Sequence, residues 1–296
     1  MSNITETNIY EEVEQLAIEK GYELVLLVGE IKEQAAGSHE VDEENKKIKI
    51  TINNEYKDDL SVGVHELLHA KLFLTGFPKT RTYYHASQTS LNSVGRRALV
   101  EIENIAQHTI IYPEIINLGY SQRKLDLVYF EGVKNEIDTV FSGLNKLGRA
   151  FRLLECYYRL PEEFATIEKD INEKQNAEYG LFRKMKRLLS KTGTPKEMRK
   201  AMGSMIKLVE EVVKKETGSQ LYLRYFTTLN PYFNEYQLKQ KASKIVSAIK
   251  FNEYPDIFLI NKEDDICVTF IRGDSISYDR YKNLLEEKTL KEILSM

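Results

Sequence analysis

Val64-His65-Glu66-Leu67-Leu68-His69-Ala70 sets two imidazoles and a carboxylate in the order His-Glu-x-x-His inside an apolar run. On a helix, residues four apart lie one above the other on the same face. The ring nitrogens of His65 and His69 can then converge on one zinc ion and leave room for further ligands. Glu66 lies one residue, about 100° of helix, past His65. From there its carboxylate can reach a water on the metal rather than the metal itself, and act as general base. The candidate chemistry is metal-assisted hydrolysis, with His65 and His69 as metal ligands and Glu66 as the catalytic residue.

The surrounding sequence supplies the elements to hold these groups. Asp58, Asp59 and Ser61 are residues of helix N-termini, and Gly76 with Pro78 makes a stop signal. Between them the segment is apolar nearly all round, which predicts a buried helix. Two imidazoles and a carboxylate there would cost several kcal/mol unless paired or metal-bound. Lys47 to Asn53 alternates strictly and predicts a strand. Further upstream, residues 8 to 20 have helical period, with Ile9, Val13, Leu16 and Ala17 on one face, Gly21 as the end, and a strand over Glu23 to Val28. Residues 32 to 46 are polar and turn-rich, so His39, beside Glu40, is expected to be a solvated loop histidine. A helix, two strands and the histidine helix make a compact α+β unit.

A zinc site of this kind needs a third protein ligand, often a carboxylate from a following helix. That helix is predicted over about Ser90 to Ile111, its broad apolar arc including Val94, Ala98, Leu99, Ile102, Ile105 and Ala106. Glu101 and Glu103 border this arc from opposite sides. His108 lies beside Glu101 on the helical wheel and Gln107 beside Glu103, so periodicity alone does not choose between the two glutamates. In the loop before the helix, Tyr83, Tyr84 or His85 is placed to donate a hydrogen bond to a developing oxyanion.

The order of a strand, the His65-Glu66-Leu67-Leu68-His69 helix, and then Glu103-Asn104-Ile105-Ala106 running through Ile110-Ile111 to Pro113 resembles the ImmA/IrrE family of bacterial and phage zinc metallopeptidases. The resemblance covers about residues 5 to 120. It implies a minimal zincin-like fold, zinc on His65 and His69 with Glu103 as third ligand, and Glu66 as general base. It also implies a substrate of the repressor type, a DNA-binding protein whose cleavage releases stress or mobile-element genes. Gln107 and His108 stand where the family has small residues, which leaves Glu101 and His108 as rivals of Glu103.

With 296 residues and a net charge of -3, the chain has the size of about two domains and no global bias towards nucleic acid. An α+β organisation is expected in three stretches: a zincin-like domain over 1–120, a helical region over 121–218 and a C-terminal α/β region over 219–296. The longest aliphatic run, Leu24 to Val28, is far short of the roughly 20 residues of a membrane span, and the polar N-terminus predicts no signal peptide. Cys156 and Cys267 have no metal or redox spacing and are expected to be reduced thiols of a cytoplasmic protein. Residues 181–200 carry a local charge of +7, which suits either a phosphate backbone or a solvated helix pair around Gly193-Thr194-Pro195. Met202, Met205, Ile206, Val209, Val212 and Val213 predict an amphipathic helix. A helix is expected near 236 to 250. Strands over Asp256 to Ile260 and Ile266 to Ile271 are expected to form a hairpin.

The expectation for the whole is a zinc-dependent peptidase in which an extended peptide substrate pairs with the Lys47–Asn53 strand by strand addition. The alternative is a non-catalytic zincin-like protein that binds a partner through its helical C-terminal region.

Overall fold

The computed structural model describes residues 4–31, 35–82, 90–230, 233–252, 254–272 and 275–296. The fold is α+β, as the sequence predicts. It divides into two compact units, each assembled from three separate stretches of the chain. The first unit comprises Met1–Phe77, Gln107–Val140 and Arg152–Tyr179; the second comprises Pro78–Ala106, Phe141–Phe151 and Gly180–Met296.

The first unit begins with α1 (Asn8–Glu19), capped by Thr7, whose hydroxyl accepts the Tyr10 N–H. Three strands follow: β1 (Glu23–Gly29), β2 (Gly37–Asp42) and β3 (Lys47–Asn53). In the sheet β3 is central, parallel to β1 and antiparallel to β2. Ile48, Ile50 and Ile52 of β3 are buried together with Ile9, Val13 and Ala17 of α1 and with Val62, Val64, Leu67 and Leu68 of α2 (Leu60–Leu74). Asp59 caps α2 by accepting from the Ser61 N–H at 3.0 Å and the Ser61 hydroxyl at 2.6 Å. At the other end Gly76 takes the left-handed conformation, φ 86°, and the Phe77 N–H closes on Leu72 O. Gly63 is a close-approach position, since a β-carbon there would stand 1.9 Å from Ile4 Cδ1.

Two expectations are corrected here. Within the stretch 32–46 read as a loop, Gly37–Asp42, with His39, is the strand β2, and residues 32–34 lie outside the described residues. And β3, read as the strand that would receive a peptide, is hydrogen-bonded on both edges and has none free; the outer strands are β1 and β2.

Helix α3 runs from Ser90 to Asn117 and contains Pro113. The predicted stop before that proline is passed because Ile111 and Ile115, on either side of it, are buried in the first unit's core, and tertiary burial overrides local propensity. That unit also takes α4 (Arg123–Asn135), the end of α5 (Asn145–Arg159) and α6 (Pro161–Lys174).

In the second unit, β4 (Thr80–Thr82), β5 (Thr227–Leu229), β6 (Val246–Lys250), β7 (Ile257–Asn261) and β8 (Cys267–Ile271) form a sheet in the order β4-β5-β8-β7-β6. The expected hairpin is β7–β8. The helix expected near 236 to 250 is instead two short helices, Glu235–Lys239 and Ala242–Ile245, followed by β6, which pairs antiparallel with β7. The predicted amphipathic helix lies within Pro195–Thr217, its Met202, Met205, Ile206, Val209 and Val213 fully buried. Of the basic cluster, Arg199 is buried and structural, donating to Asp264 at 2.8 Å and to Leu229 O and Asn230 O. Among the described residues, no helix is long and apolar enough to cross a membrane.

Candidate metal centre

Four of the chain's five histidines meet in the first unit. The fifth, His85, lies outside the described residues with Tyr83 and Tyr84. His65 and His69, one turn apart on α2, bring their Nε2 atoms to 3.1 Å. Two nitrogens bound to one zinc at 2.0–2.1 Å with a tetrahedral angle lie about 3.3 Å apart. His108 on α3 is the third member, and one nitrogen from each of the three rings falls within 4.8 Å of the others.

Ring geometry is more exacting than distance. Ring centroids are 4.9 Å apart for His65–His69, 5.0 Å for His65–His108 and 5.2 Å for His69–His108, with interplanar angles of 64°, 62° and 57°. The three imidazoles thus surround one point with near-threefold regularity. Tetrahedral zinc with Zn–N of 2.0–2.1 Å would space three such centroids by about 5.2 Å. The donor set fits a divalent ion of that size.

The outer hydrogen bonds of two of these rings point the same way. His69 Nδ1 lies 2.5 Å from Gln107 Oε1, and His108 Nδ1 lies 2.9 Å from Glu155 Oε2. A carboxylate only accepts, so His108 carries its proton on Nδ1 and keeps Nε2 as the inward nitrogen. An acceptor behind a ligating histidine is the common outer-shell arrangement of metal sites. His65 Nδ1 is buried and, among the described residues, has no hydrogen-bond partner.

His39 completes the cluster and was missed by sequence reasoning. It pairs with Ile50 across β2–β3, and directly paired residues share a face of a sheet. Because Ile50 faces the core, so does His39. The signal available was the alternation of His39 with Val41, obscured by the polar residues around them. His39 Nδ1 lies 3.3 Å from Glu66 Oε2, and its ring stacks on His69 at 4.4 Å and 10°. An imidazole lone pair lies in the ring plane, so two stacked, nearly parallel rings do not aim at one ion. His39, Glu66 and His69 are also close enough to form a donor group, but with His69 Nδ1 turned to Gln107 this ring has only Nε2 to offer. His39 is therefore a partner of the carboxylate, not a fourth nitrogen of the three-histidine set.

Burial governs the electrostatics. It drives the His65 pKa well below 6.5 and that of His69 down to about 3, the neighbouring imidazoles adding to the effect. Both rings are neutral at physiological pH, as metal ligation requires. Burial pushes the Glu66 carboxyl up, opposed by His69 and His108. The buried carboxylates Glu66, Glu155 and Asp126 stand against the guanidinium of Arg159, which leaves two formal negative charges beside the three histidines. A dication balances that charge.

Glu103, expected as third ligand from the family resemblance, lies elsewhere: its Oε2 accepts the Thr80 N–H at 2.7 Å and the Thr80 hydroxyl. Glu101 pairs loosely with Arg97 on the helix surface, at 4.0 Å. Among the described residues, neither is grouped with the histidines as a possible metal donor; the residue that lies with His65 and His69 is His108, from the next turns of the same helix. Comparison with protein-family models, curated proteins and solved structures finds no match to the chain.

Proposed function

We propose that the chain is a zinc-dependent peptidase, with His65, His69 and His108 holding the ion and Glu66 as general base. The observation that carries this reading is the near-threefold set of imidazoles directly beside a buried glutamate. When bound, zinc supplies Lewis acidity, lowering the pKa of a water towards 7 and polarising a carbonyl. Three protein nitrogens leave room for such chemistry, whereas a structural site is closed by four protein ligands.

The chain's own residues supply the proton path. His39 Nδ1–H, donating to Glu66 Oε2, fixes the carboxylate. The Glu66 carboxylate takes the proton of the attacking water as the new C–O bond forms. It hands that proton to the amine nitrogen as the C–N bond breaks, so the carboxylate is regenerated at the end of the cycle. A site with only a structural role has no use for Glu66 in this position.

The peptide as substrate, and within peptides a repressor-type regulatory protein, follows from the resemblance of the His-Glu-x-x-His segment and its flanks to the ImmA/IrrE family. The outer strand β2 supports it, since it carries His39 and, among the described residues, pairs with no strand other than β3, so its far edge suits an extended chain.

The test is the metal content and hydrolytic activity of the full chain and of Glu66→Gln against a degenerate fluorogenic peptide library. One zinc per chain in both proteins, with hydrolysis only in the wild type, is the expected result. A wild-type chain that takes up no zinc, or a Glu66→Gln protein that cleaves at the wild-type rate, overturns the reading.

A further inference from the structure

Behind His108, on the side away from the other two rings, lies a buried ionic network contributed mainly by α5. Glu155 is only 6% exposed, yet it accepts three hydrogen bonds: His108 Nδ1 at 2.9 Å, Tyr112 Oη at 2.8 Å and Arg159 Nε at 2.7 Å. The other side of the Arg159 guanidinium donates to Asp126 on α4 at 3.0 Å. Arg159 is packed over the rings of Tyr129 and Tyr112, at 4.7 and 5.5 Å, which holds it in place. Burial by itself would raise the Glu155 carboxyl; His108 and Arg159 outweigh it and hold the group well below the usual carboxylate range. Glu155 thus stands one hydrogen bond behind His108, held by Tyr112 and Arg159.

We propose that Glu155 is the positioning residue of this centre. It fixes the His108 imidazole with Nε2 turned towards the ion and supplies, through that ring, part of the negative charge a dication requires, with Arg159 and Asp126 holding it in turn. The inference rests on the three-histidine reading above. Its physical basis is that a carboxylate accepting from a ligating imidazole raises the basicity of the ligand and locks its tautomer, and that loss of such a partner costs about 10- to 100-fold in metal affinity. The chain needs this device at His108 in particular. That ring comes from a separate helix, whereas His65 and His69 are set by the spacing of one.

The test measures zinc affinity of the full chain by competition with a chromophoric chelator, and the visible absorption of the Co(II)-loaded protein. His65→Ala, which removes a ligand, is expected to lose stoichiometric zinc. Glu155→Gln is expected to keep one equivalent, bound about 10- to 100-fold more weakly, with a shifted Co(II) spectrum. Tyr112→Phe, which removes a neutral donor to Glu155 and leaves its charge, is expected to stay within about threefold of wild type. Wild-type affinity and spectrum in Glu155→Gln, with binding lost in His65→Ala, overturns the role of Glu155 and leaves the three-histidine site standing. Wild-type affinity in His65→Ala overturns that site itself. Equal weakening in Tyr112→Phe and Glu155→Gln overturns the electrostatic role in favour of plain packing. If Glu155→Gln does not fold, Glu155→Asp, which keeps the charge at shorter reach, must bind zinc more weakly than wild type with a shifted Co(II) spectrum; unchanged binding there overturns the inference.

Discussion

Gly37 lies against the side chain of Glu66 so closely that a β-carbon on residue 37 would stand 2.8 Å from Glu66 Cγ and 2.9 Å from Oε1. The same β-carbon would come within 3.0 Å of Val62 Cγ1, so the glutamate has little room to yield along the helix. The absence of a side chain at the start of β2 is what lets the carboxylate sit between strand and helix, in reach of His39. Gly37→Ala should therefore move the carboxylate and leave the three imidazoles in place. The expected outcome is one zinc per chain with kcat reduced about 10- to 100-fold, the scale of a misplacement of order 1 Å. Zinc content and steady-state kinetics on any peptide the wild type cleaves check it. Full activity in the alanine variant would mean that the position of Glu66 is not set by this contact.

Ring planes separate the roles of four histidines that are otherwise crowded together. His108 is inclined by about 60° to both His65 and His69, while His39 is nearly parallel to His69. On this geometry His108→Ala should weaken zinc binding by more than about a hundredfold, beyond the effect of losing an outer-shell partner. His39→Ala should retain one equivalent of zinc with affinity changed by less than about tenfold, and lose hydrolysis through its effect on Glu66. Reversal of that order, with His39 the more important for metal, would show that the ion sits on the other group of donors.

Half of this site was readable because it is local. His65, Glu66 and His69 obey the period of one helix, the caps at Asp59 and Gly76 are where the residue types put them, and the burial of α2 follows from its apolar composition. The members that come from elsewhere in the chain are another matter. His108 was visible only as a rival to Glu101 and Glu103, since all three fall within two turns of α3 and the choice depends on which turn of that helix comes nearest α2. Glu155 lies 47 residues beyond His108, and nothing in the amphipathic pattern of α5 distinguishes it from a surface glutamate. His39 was hidden by composition: β2 is short and half polar, and its inward face is defined by pairing with Ile50, a long-range fact. The division into two interleaved units was illegible for the same reason, because boundaries that run through α3, α5 and α7 (Asn176–Leu188) leave no linker to read.

Burial of the imidazoles also has a consequence for stability. His69 titrates at about 3 in the folded chain and His65 well below 6.5, burial being the main cause for both. Unfolded histidine titrates near 6.5. Above that pH both states hold the rings neutral and the two groups contribute no pH dependence. Below it the unfolded chain gains protons that the folded chain refuses, so metal-free stability falls by about 1.4 kcal/mol per pH unit for each ring. For His69 this continues until the folded ring itself titrates near 3. The Glu66 carboxyl, pushed up by burial, acts in the opposite sense at acid pH, so the informative quantity is a difference. Urea unfolding of the metal-free wild type and of His69→Leu at several pH values should give a free-energy difference that is flat above about pH 7. Well below 6.5 it should turn against the wild type by about 1.4 kcal/mol per pH unit. A difference that stays flat down to pH 5 would show that His69 takes up its proton in the folded state.

Sheet order decides where a peptide can lie. β3 is paired along both edges, so strand addition there would require β1 or β2 to leave. Among the described residues no further strand pairs with the outer edge of β2, and this strand holds both Gly37 and His39, which lie against Glu66. A peptide extended along β2 would gain main-chain hydrogen bonds irrespective of its side chains, with its carbonyls next to the proposed general base and no deep pocket. The dependence should therefore be on backbone amides. In any peptide the chain cleaves, N-methylation of alternate backbone nitrogens near the scissile bond should raise KM by about tenfold for one of the two alternating sets and have little effect for the other, since only every second N–H of an added strand points to its neighbour. Equal tolerance of both methylated sets would mean that the substrate is held by its side chains and that the edge of β2 does not bind it.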